Sequence, residues 1–556
     1  MRQGLGIRLV RAGSRRALAV LCGLAVLAAG CTTLREWVHN GFKLGPNFHE
    51  PPAAVSPAWI DAADPSLVNK PALVDAWWNV FHDPVLNSLI ETAYRQNRDL
   101  RTAAMRVLES QAQRNISAGN LFPQSQGALG AYLHAQLSKN LNLFGNPQGL
   151  FPANFPSTNF TPTNFNIWAT GFNASWELDF WGRLRRAIES SDAELGASVE
   201  SYRDALVTLL ADVATSYVQI RTFQQRLDYA RRNVEIQRGS LRLAEARLRD
   251  GKTSSLDVKQ ARSSLAQTES SIPPLVIGLR QANHRLCVLL GQPPQDLLPG
   301  LAEASIPSAP PKVAVGIPAE LLQRRPDVRR ALREVAAQCA QIGVAEADLY
   351  PQIGVTGFIG YTASDLRRLF AENSYTGLIL PNFQWKILNY GRIINNVRTQ
   401  KARCRERVFQ YQQAVLNAGR EVEDALVAFL QYQLQAQHLE ESVKETEDSV
   451  ELVQAQYKGG LVDFNRVFTM QSQLVSQQDQ LAAARGNITL SLISVYRALG
   501  GGWQSFENGP SSKDCGGSRI NQPESTEGEE GTADPALGRP KLLPDDFKSD
   551  RKKSEE

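Results

Sequence analysis

Residues 176–184 read WELDFWGRL and residues 385–393 read WKILNYGRI. Trp176 sets against Trp385, Leu178 against Ile387 and Trp181 against Tyr390. Gly182-Arg183-Leu184 sets against Gly391-Arg392-Ile393, all at an offset of 209 residues. A fixed offset means a duplicated structural unit, so whatever fold serves one copy must serve both. The offset holds downstream, where ARLRDGKTSSLDV at 246–258 aligns with AQYKGGLVDFNRV at 455–467, and LLG at 289–291 with ALG at 498–500. Upstream it becomes 228: LFPQ at 121–124 matches LYPQ at 349–352, and NRDLR at 97–101 matches RPDVR at 325–329. The 19-residue difference lies between the PQ box and the Trp corner, where the first copy is rich in Asn, Pro and Phe. That composition predicts a long external loop within 124–173.

Each copy has one order of parts. A helical stretch ends at the PQ box, two alternating segments flank a loop, and a Trp corner opens a very long proline-free run. A Gly turn then leads into a returning helix. In 168–180 the even positions are Trp168, Thr170, Phe172, Ala174, Trp176, Leu178 and Phe180, while the odd ones include Asn173, Ser175, Glu177 and Asp179. In 375–387 the apolar stripe is Tyr375, Gly377, Ile379, Pro381, Phe383, Trp385 and Ile387. Such alternation is a strand with two unlike faces. Ten residues tilted by about 40° rise roughly 25 Å, the height of the apolar band of an outer-membrane barrel. Trp176, Trp181, Tyr375, Trp385 and Tyr390 are the expected membrane-interface aromatics. A soluble β-sandwich edge is the alternative. Pro381 suggests a bulge.

The runs Arg183–Arg249 and Arg392–Lys458 each hold 67 residues without proline. As helices they are about 100 Å long. Their faces are rich in Gln, Arg, Glu and Ala, so they stand in water and pack on other helices. Two hairpins supply four strands, too few to close a membrane barrel, so the chain must oligomerise to seal its edges.

The first 30 residues read as a signal peptide: five arginines without an acid, a short apolar run, then Ala28-Ala29-Gly30 before Cys31. Cys31 is the expected lipidation site, with an ordinary signal-peptidase cut nearby as the alternative. The net charge of +4 belongs to the leader, since residues 31–556 sum to −1. It argues neither for nucleic acid nor for an anionic substrate. Cys287, Cys339 and Cys404 lie alone in helical patterns, which suggests no disulfide framework. The six histidines never take ligand spacing, and no phosphate loop or nucleophile motif occurs. The chain is expected to be neither an enzyme nor a metal or cofactor protein.

The boundaries follow: signal peptide 1–30, lipidated extended segment 31–75, first repeat 76–291, Pro-rich linker 292–317, second repeat 318–503 and disordered polar tail 504–556. Within the repeats the hairpins fall at about 122–180 and 350–388, the long helices at 183–249 and 392–458, and the return helices at 253–290 and 462–499.

The boxes DAWWNVFHDPVLNSLI (75–90), LLQRRPDVRRA (321–331), LYPQ (349–352), GRI (391–393), GGLVDF (459–464) and YRALGGGW (496–503) together resemble the TolC family of outer-membrane efflux channels, in its NodT-type or OprM-like lipoprotein branch. The resemblance implies an α+β membrane protein with a long α-helical barrel and a β-barrel completed by trimerisation. It also implies a periplasmic adaptor, an inner-membrane pump of RND type, and contact with outer-membrane lipid. A type I secretion duct and a structural or adhesin lipoprotein are rival readings. Because the family narrows its pore at the Gly turn, Asp463 and Lys458 are candidate periplasmic gate residues. Asp463 is also placed to cap the returning helix, as Ser254 is in the first copy.

Overall fold

The computed structural model describes residues 34–68, 75–136, 164–301 and 304–507. The leader, Cys31, most of the first hairpin loop and the tail from 508 lie outside the described residues. The elements, in chain order, are α1 (Leu34–His39), β1 (Leu67–Val68), α2 (Pro84–Gln96), α3 (Arg98–Gly119), β2 (Ser125–Gln136), β3 (Asn164–Leu178), α4 (Arg183–Arg249) and α5 (Ser255–Leu289). The second repeat follows with β4 (Val313–Ala314), α6 (Leu321–Arg324), α7 (Pro326–Ala347), β5 (Gln352–Ala363), β6 (Tyr375–Gln384), α8 (Arg392–Gly459), α9 (Phe464–Ala498) and α10 (Gln504–Glu507). Contacts divide the chain into two compact units. One takes in the chain up to Glu50 with 110–195 and 334–407; the other takes in 51–109, 196–333 and the chain from Val408.

The first unit holds a four-stranded antiparallel sheet in the order β2-β3-β5-β6. The β5–β6 register runs from Gln352↔Gln384 to Tyr361↔Tyr375 without interruption, and Val355 faces Pro381. The expected bulge is absent because β6 is an edge strand here, where a proline is tolerated. The two hairpins differ by one residue. Ser175 faces Ser125, while its counterpart Gln384 faces Gln352, so the strands relate by 227 rather than by the 228 of the PQ boxes. The extra residue is Gln124, which pairs through its side chain: Oε1 accepts from Glu177 N at 2.7 Å and Nε2 donates to Glu177 O at 3.3 Å.

Cys339 on α7 and Cys404 on α8 form a disulfide with Cα atoms 5.4 Å apart. The reading of these cysteines as solitary is corrected. They stand 65 residues apart in sequence, and the hairpin between them brings the two helices side by side.

The second unit is helical, and its core explains several boxes. Trp77 is buried and stacks on Tyr496 at 5.6 Å, and Leu210, Val213 and Tyr217 are fully enclosed. Asp83 caps α2 by accepting from Val85 N at 2.9 Å and also accepts the Tyr217 hydroxyl at 2.7 Å. Burial and the Asp83 carboxylate push the Tyr217 phenol up to about 12. Pro273 and Pro274 lie inside α5, which runs on through them with both rings exposed.

Three segments carry more structure than their composition suggests. Residues 34–39 of the segment read as extended form a helix. The linker contributes β4, which pairs in parallel with β1. The tail read as disordered from 504 begins with the helix α10, because Phe506 stacks on Tyr94 at 4.2 Å and on Trp78 at 5.8 Å.

Candidate functional site

The sheet has two unlike faces. Trp168, Phe172, Trp176 and Leu178 share one with Ile353, Val355, Ile359 and Tyr361 and with Tyr375, Ile379 and Phe383. The other carries Asn173, Ser175, Glu177, Thr356, Thr362, Thr376, Asn382 and Gln384. Hydrogen bonds tie its polar groups across strands: Thr362 and Thr376 hydroxyls lie 2.6 Å apart, and Asn382 Nδ2 donates to Thr356 Oγ1 at 3.2 Å. The first face is the richer in aromatic side chains, with Phe172, Trp176, Ile359, Tyr375, Ile379 and Phe383 exposed, while Leu129, Leu133, Ile167, Phe358, Leu378 and Leu380 stand among the polar groups of the second. In water the first face is a liability; facing lipid it is an asset.

The two corners repeat one bond. Trp176 Nε1 donates to Leu121 O at 3.1 Å, and Trp385 Nε1 donates to Leu349 O at 2.9 Å. Each tryptophan thereby ties the end of its hairpin to the box that opens it. Trp181 donates to Pro351 O at 2.8 Å, whereas its counterpart Tyr390 is 91% exposed. Tyr375 meets Tyr361 edge-on at 6.2 Å. Gly182 and Gly391 adopt φ 77° and 80°, a left-handed turn that glycine makes without strain.

At the Gly turns the sequence-read residues take modest roles. Asp463 Oδ1 accepts from Arg466 N at 3.3 Å and caps α9, as Ser254 accepts from Leu256 N at 3.2 Å and caps α5. Lys458 is exposed and forms no ion pair among the described residues. The structure builds its clasp from residues that sequence reading passed over. Arg247 donates to Tyr457 O and lies over the Tyr457 ring, 4.7 Å from its centre. The Tyr457 hydroxyl donates to Asp257 Oδ2 at 3.1 Å, and Thr253 donates to the same oxygen. Burial, with Asp257 adding to it, pushes the Tyr457 phenol up. Beneath lies an apolar cluster of Ala244, Val258, Ala261, Phe464 and Val467. The signal that could have found this clasp is the alignment itself, which sets Leu248 against Tyr457 and Asp257 against Arg466. Both tips keep the turn and differ in the polar groups laid over it.

No helix among the described residues is long and apolar enough to cross a membrane. No cluster of three or more His, Cys, Asp or Glu fit for a metal occurs among them.

Comparison with known proteins gives one answer. The model of the outer membrane efflux protein family matches residues 89–292 and 317–501, one segment for each repeat. The pyoverdine export outer membrane protein OpmQ of Pseudomonas putida is 32% identical over 445 residues, covering 79% of this chain and 91% of its own. The cation efflux system protein CusC of Escherichia coli is 29% identical, covering 84% and 96%. The solved outer-membrane channel OprN superposes with a TM-score of 0.76 at 31% identity, covering 83% of this chain and all of its own. These relatives favour efflux over protein secretion and over a purely structural role. The chain belongs to the outer membrane efflux protein family, and with its TolC-like fold it is the outer-membrane channel of a tripartite efflux system, extending into the periplasm.

Proposed function

We propose that three copies of this chain close one β-barrel and one passive duct, through which small molecules leave by way of a periplasmic adaptor and an inner-membrane pump of RND type. The observation that carries this reading is the sheet with two open edges, β2 and β6, behind an apolar face. Open edges in lipid leave backbone groups unpaired at several kcal/mol each. The internal repeat also supplies the missing register. If β6 meets β2 of the next copy as β3 meets β5, Gln384 faces Leu129 and Asn382 faces Ala131, and apolar faces meet on the same side. By the same relation α8 lies beside α3 of the next copy as α4 lies beside α7. The aromatics Trp176, Trp181, Tyr375, Trp385 and Tyr390 then mark the edges of the membrane band, and Cys31 carries the lipid.

Leu129→Cys paired with Gln384→Cys should give a crosslinked trimer ladder on non-reducing gels and keep single-channel conductance. Leu129→Cys paired with Thr376→Cys should not crosslink. Crosslinking of the second pair alone would refute this seam. Mass spectrometry of the mature chain should show a diacylglyceryl group on Cys31, and a free N-terminus elsewhere would refute the anchor.

The Arg247–Tyr457–Asp257 clasp holds the two Gly turns in the resting state, and the adaptor releases it. Asp463 and Lys458 line the opening. Pyoverdine, toluene and cations appear in the names of relatives; they support export of small molecules and ions.

A further inference from the structure

One groove in the first unit is filled by the chain's own N-terminal segment. Residues 43–48 lie across α4 and α7. Arg186 Nε donates to Leu44 O at 2.8 Å, and its Nη2 donates to Gly45 O at 2.8 Å and to Asn47 Oδ1 at 3.0 Å. Lys43 is ion-paired with Glu189. The backbones touch because Gly343 has no side chain: a Cβ there would stand 2.5 Å from Leu44 O.

The duplication repeats the walls of this groove but not its occupant, since a chain has one N-terminal segment. The counterparts of Arg186 and Glu189 on α8 are Asn395 and Arg398, and the counterparts of Ala340 and Gly343 on α3 are Ala112 and Asn115. All four are exposed. In the trimer proposed above these walls face each other across the seam between copies. A second N-terminal segment is excluded there twice over. Arg398 stands where Glu189 receives Lys43, and like charges repel. Asn115 stands where only glycine admits the backbone.

The surroundings say what is admitted instead. Between Glu372 and Glu406 there is no acid. Lys386, Arg392, Arg398, Arg403 and Arg405 meet no carboxylate among the described residues. The matching stretch of the first repeat carries Glu177, Asp179, Glu189, Asp192 and Glu194. Next to the groove, at the end of the apolar sheet face, Ile387 is 68%, Leu388 81% and Ile394 48% exposed. A cationic groove with an apolar rim at the edge of a membrane-inserted sheet fits an amphiphile with an anionic head.

We propose that each groove between α8 and α3 of the next copy binds one phospholipid with an anionic headgroup, its phosphate at Arg398 with Arg405 two turns on, and its acyl chains along Ile394 and Ile387. The site rests on the trimer reading, and the two can fail separately in one experiment.

The full-length protein in mild detergent is incubated with phosphatidylglycerol, phosphatidylcholine or inorganic phosphate and examined by native mass spectrometry. The expected result is a trimer retaining up to three phosphatidylglycerol molecules, with phosphatidylcholine lost and inorganic phosphate unable to displace the lipid. Arg398→Glu should lower retention by roughly tenfold or more at an unaltered trimer mass, as expected when a headgroup loses its cation and meets an acid. Arg420→Gln, also on α8, should retain lipid as the wild type does. A trimer that holds both lipids equally, or an Arg398→Glu trimer that holds phosphatidylglycerol undiminished, would overturn the proposal. Displacement by inorganic phosphate would make the site a bare anion site. Absence of any trimer would remove the underlying reading and the groove with it.

Discussion

At the first corner Glu177 grips Arg183 through two hydrogen bonds of 2.6 and 3.0 Å, and Asp179 accepts from Leu184 N, Arg185 N and the Arg185 guanidinium. At the second corner the same places hold Lys386 and Leu388, and among the described residues the Arg392 side chain donates to Asn389 O alone. Yet both corners keep the tryptophan-to-leucine bond and the left-handed glycine. A Cβ on Gly182 would strike Lys43, whereas one on Gly391 would meet only Asn395 at 3.7 Å. Duplication preserved the backbone contacts that turn a strand into a helix. It left charge free to diverge, because charge answers to what covers each corner.

The same contrast runs through the roots of the return helices, and there the largest effect is expected. Asn97 Nδ2 donates to Leu289 O at 2.9 Å, and its counterpart Arg325 donates to the counterpart carbonyl, Ala498 O, at 2.8 Å. Arg325 is buried and also holds Asp327 and Glu421 at 2.7 Å. Burial works against the Asp327 charge, but the Arg325 hydrogen bond and charge outweigh it and hold that carboxyl below its usual range. Arg325→Ala should destabilise by about 3–5 kcal/mol, because two carboxylates lose a buried partner. Asn97→Ala should cost about 1–2 kcal/mol. Thermal unfolding in detergent reads both, and equal losses would mean that the two roots are held alike.

Gly343→Asn copies the Asn115 wall into the filled groove. Its side chain meets Leu44 O and Arg186, so the N-terminal segment should be displaced or strained by about 1–3 kcal/mol. Faster proteolysis between residues 34 and 50, with the trimer intact, is the expected outcome. Unchanged protection would show that the segment has room, and that Asn115 excludes nothing at the seam.

The repeat, the hairpins, the two long helices and the family were legible in the sequence because periodicity and offset are properties of the chain alone. The Cys339–Cys404 bond was not, since two cysteines 65 residues apart carry no local signal. Gln124 was also hidden: nothing in LFPQ says that a side-chain amide will replace a ladder pair. At the tips, Asp463 and Ser254 announced themselves as caps, but Arg247, Tyr457 and Asp257 form their clasp across the two repeats, and the alignment marks them only as places where the copies differ, not as partners.

A smaller effect comes from acid. Burial raises the Glu189 carboxyl, but the Lys43 and Arg186 hydrogen bonds outweigh it and hold it below the ordinary carboxylate range. A lowered carboxyl contributes stability that is present above the unfolded value and lost as pH falls through the folded one. The Lys43 grip should therefore be constant from neutral pH down to about 4.5 and loosen only below it. Glu189 is about a third exposed, so the loss is screened, on the order of 1 kcal/mol or less. Protease protection of the N-terminal segment against pH measures this, and Glu189→Gln should abolish the acid step. A step near pH 6 would mean that another group holds the segment.

The smallest stability effect is expected where the two tips are most alike. Asp463 and Ser254 each accept one backbone N–H at the start of a return helix. Asn caps about as well as Asp, so Asp463→Asn should shift stability by only a few tenths of a kcal/mol, while Ser254→Ala should cost about 1 kcal/mol. The variants separate in bilayers. If three Asp463 carboxylates approach one another in the duct, they attract cations and repel each other more strongly as water is excluded. Asp463→Asn should then lower cation preference and alter resting conductance, and Ser254→Ala should change neither. Tyr457→Phe removes the hydroxyl that reaches Asp257 and should raise resting conductance without touching selectivity. Unaltered selectivity in Asp463→Asn, together with raised conductance in Tyr457→Phe, would make Asp463 a cap alone and leave the gate to the clasp.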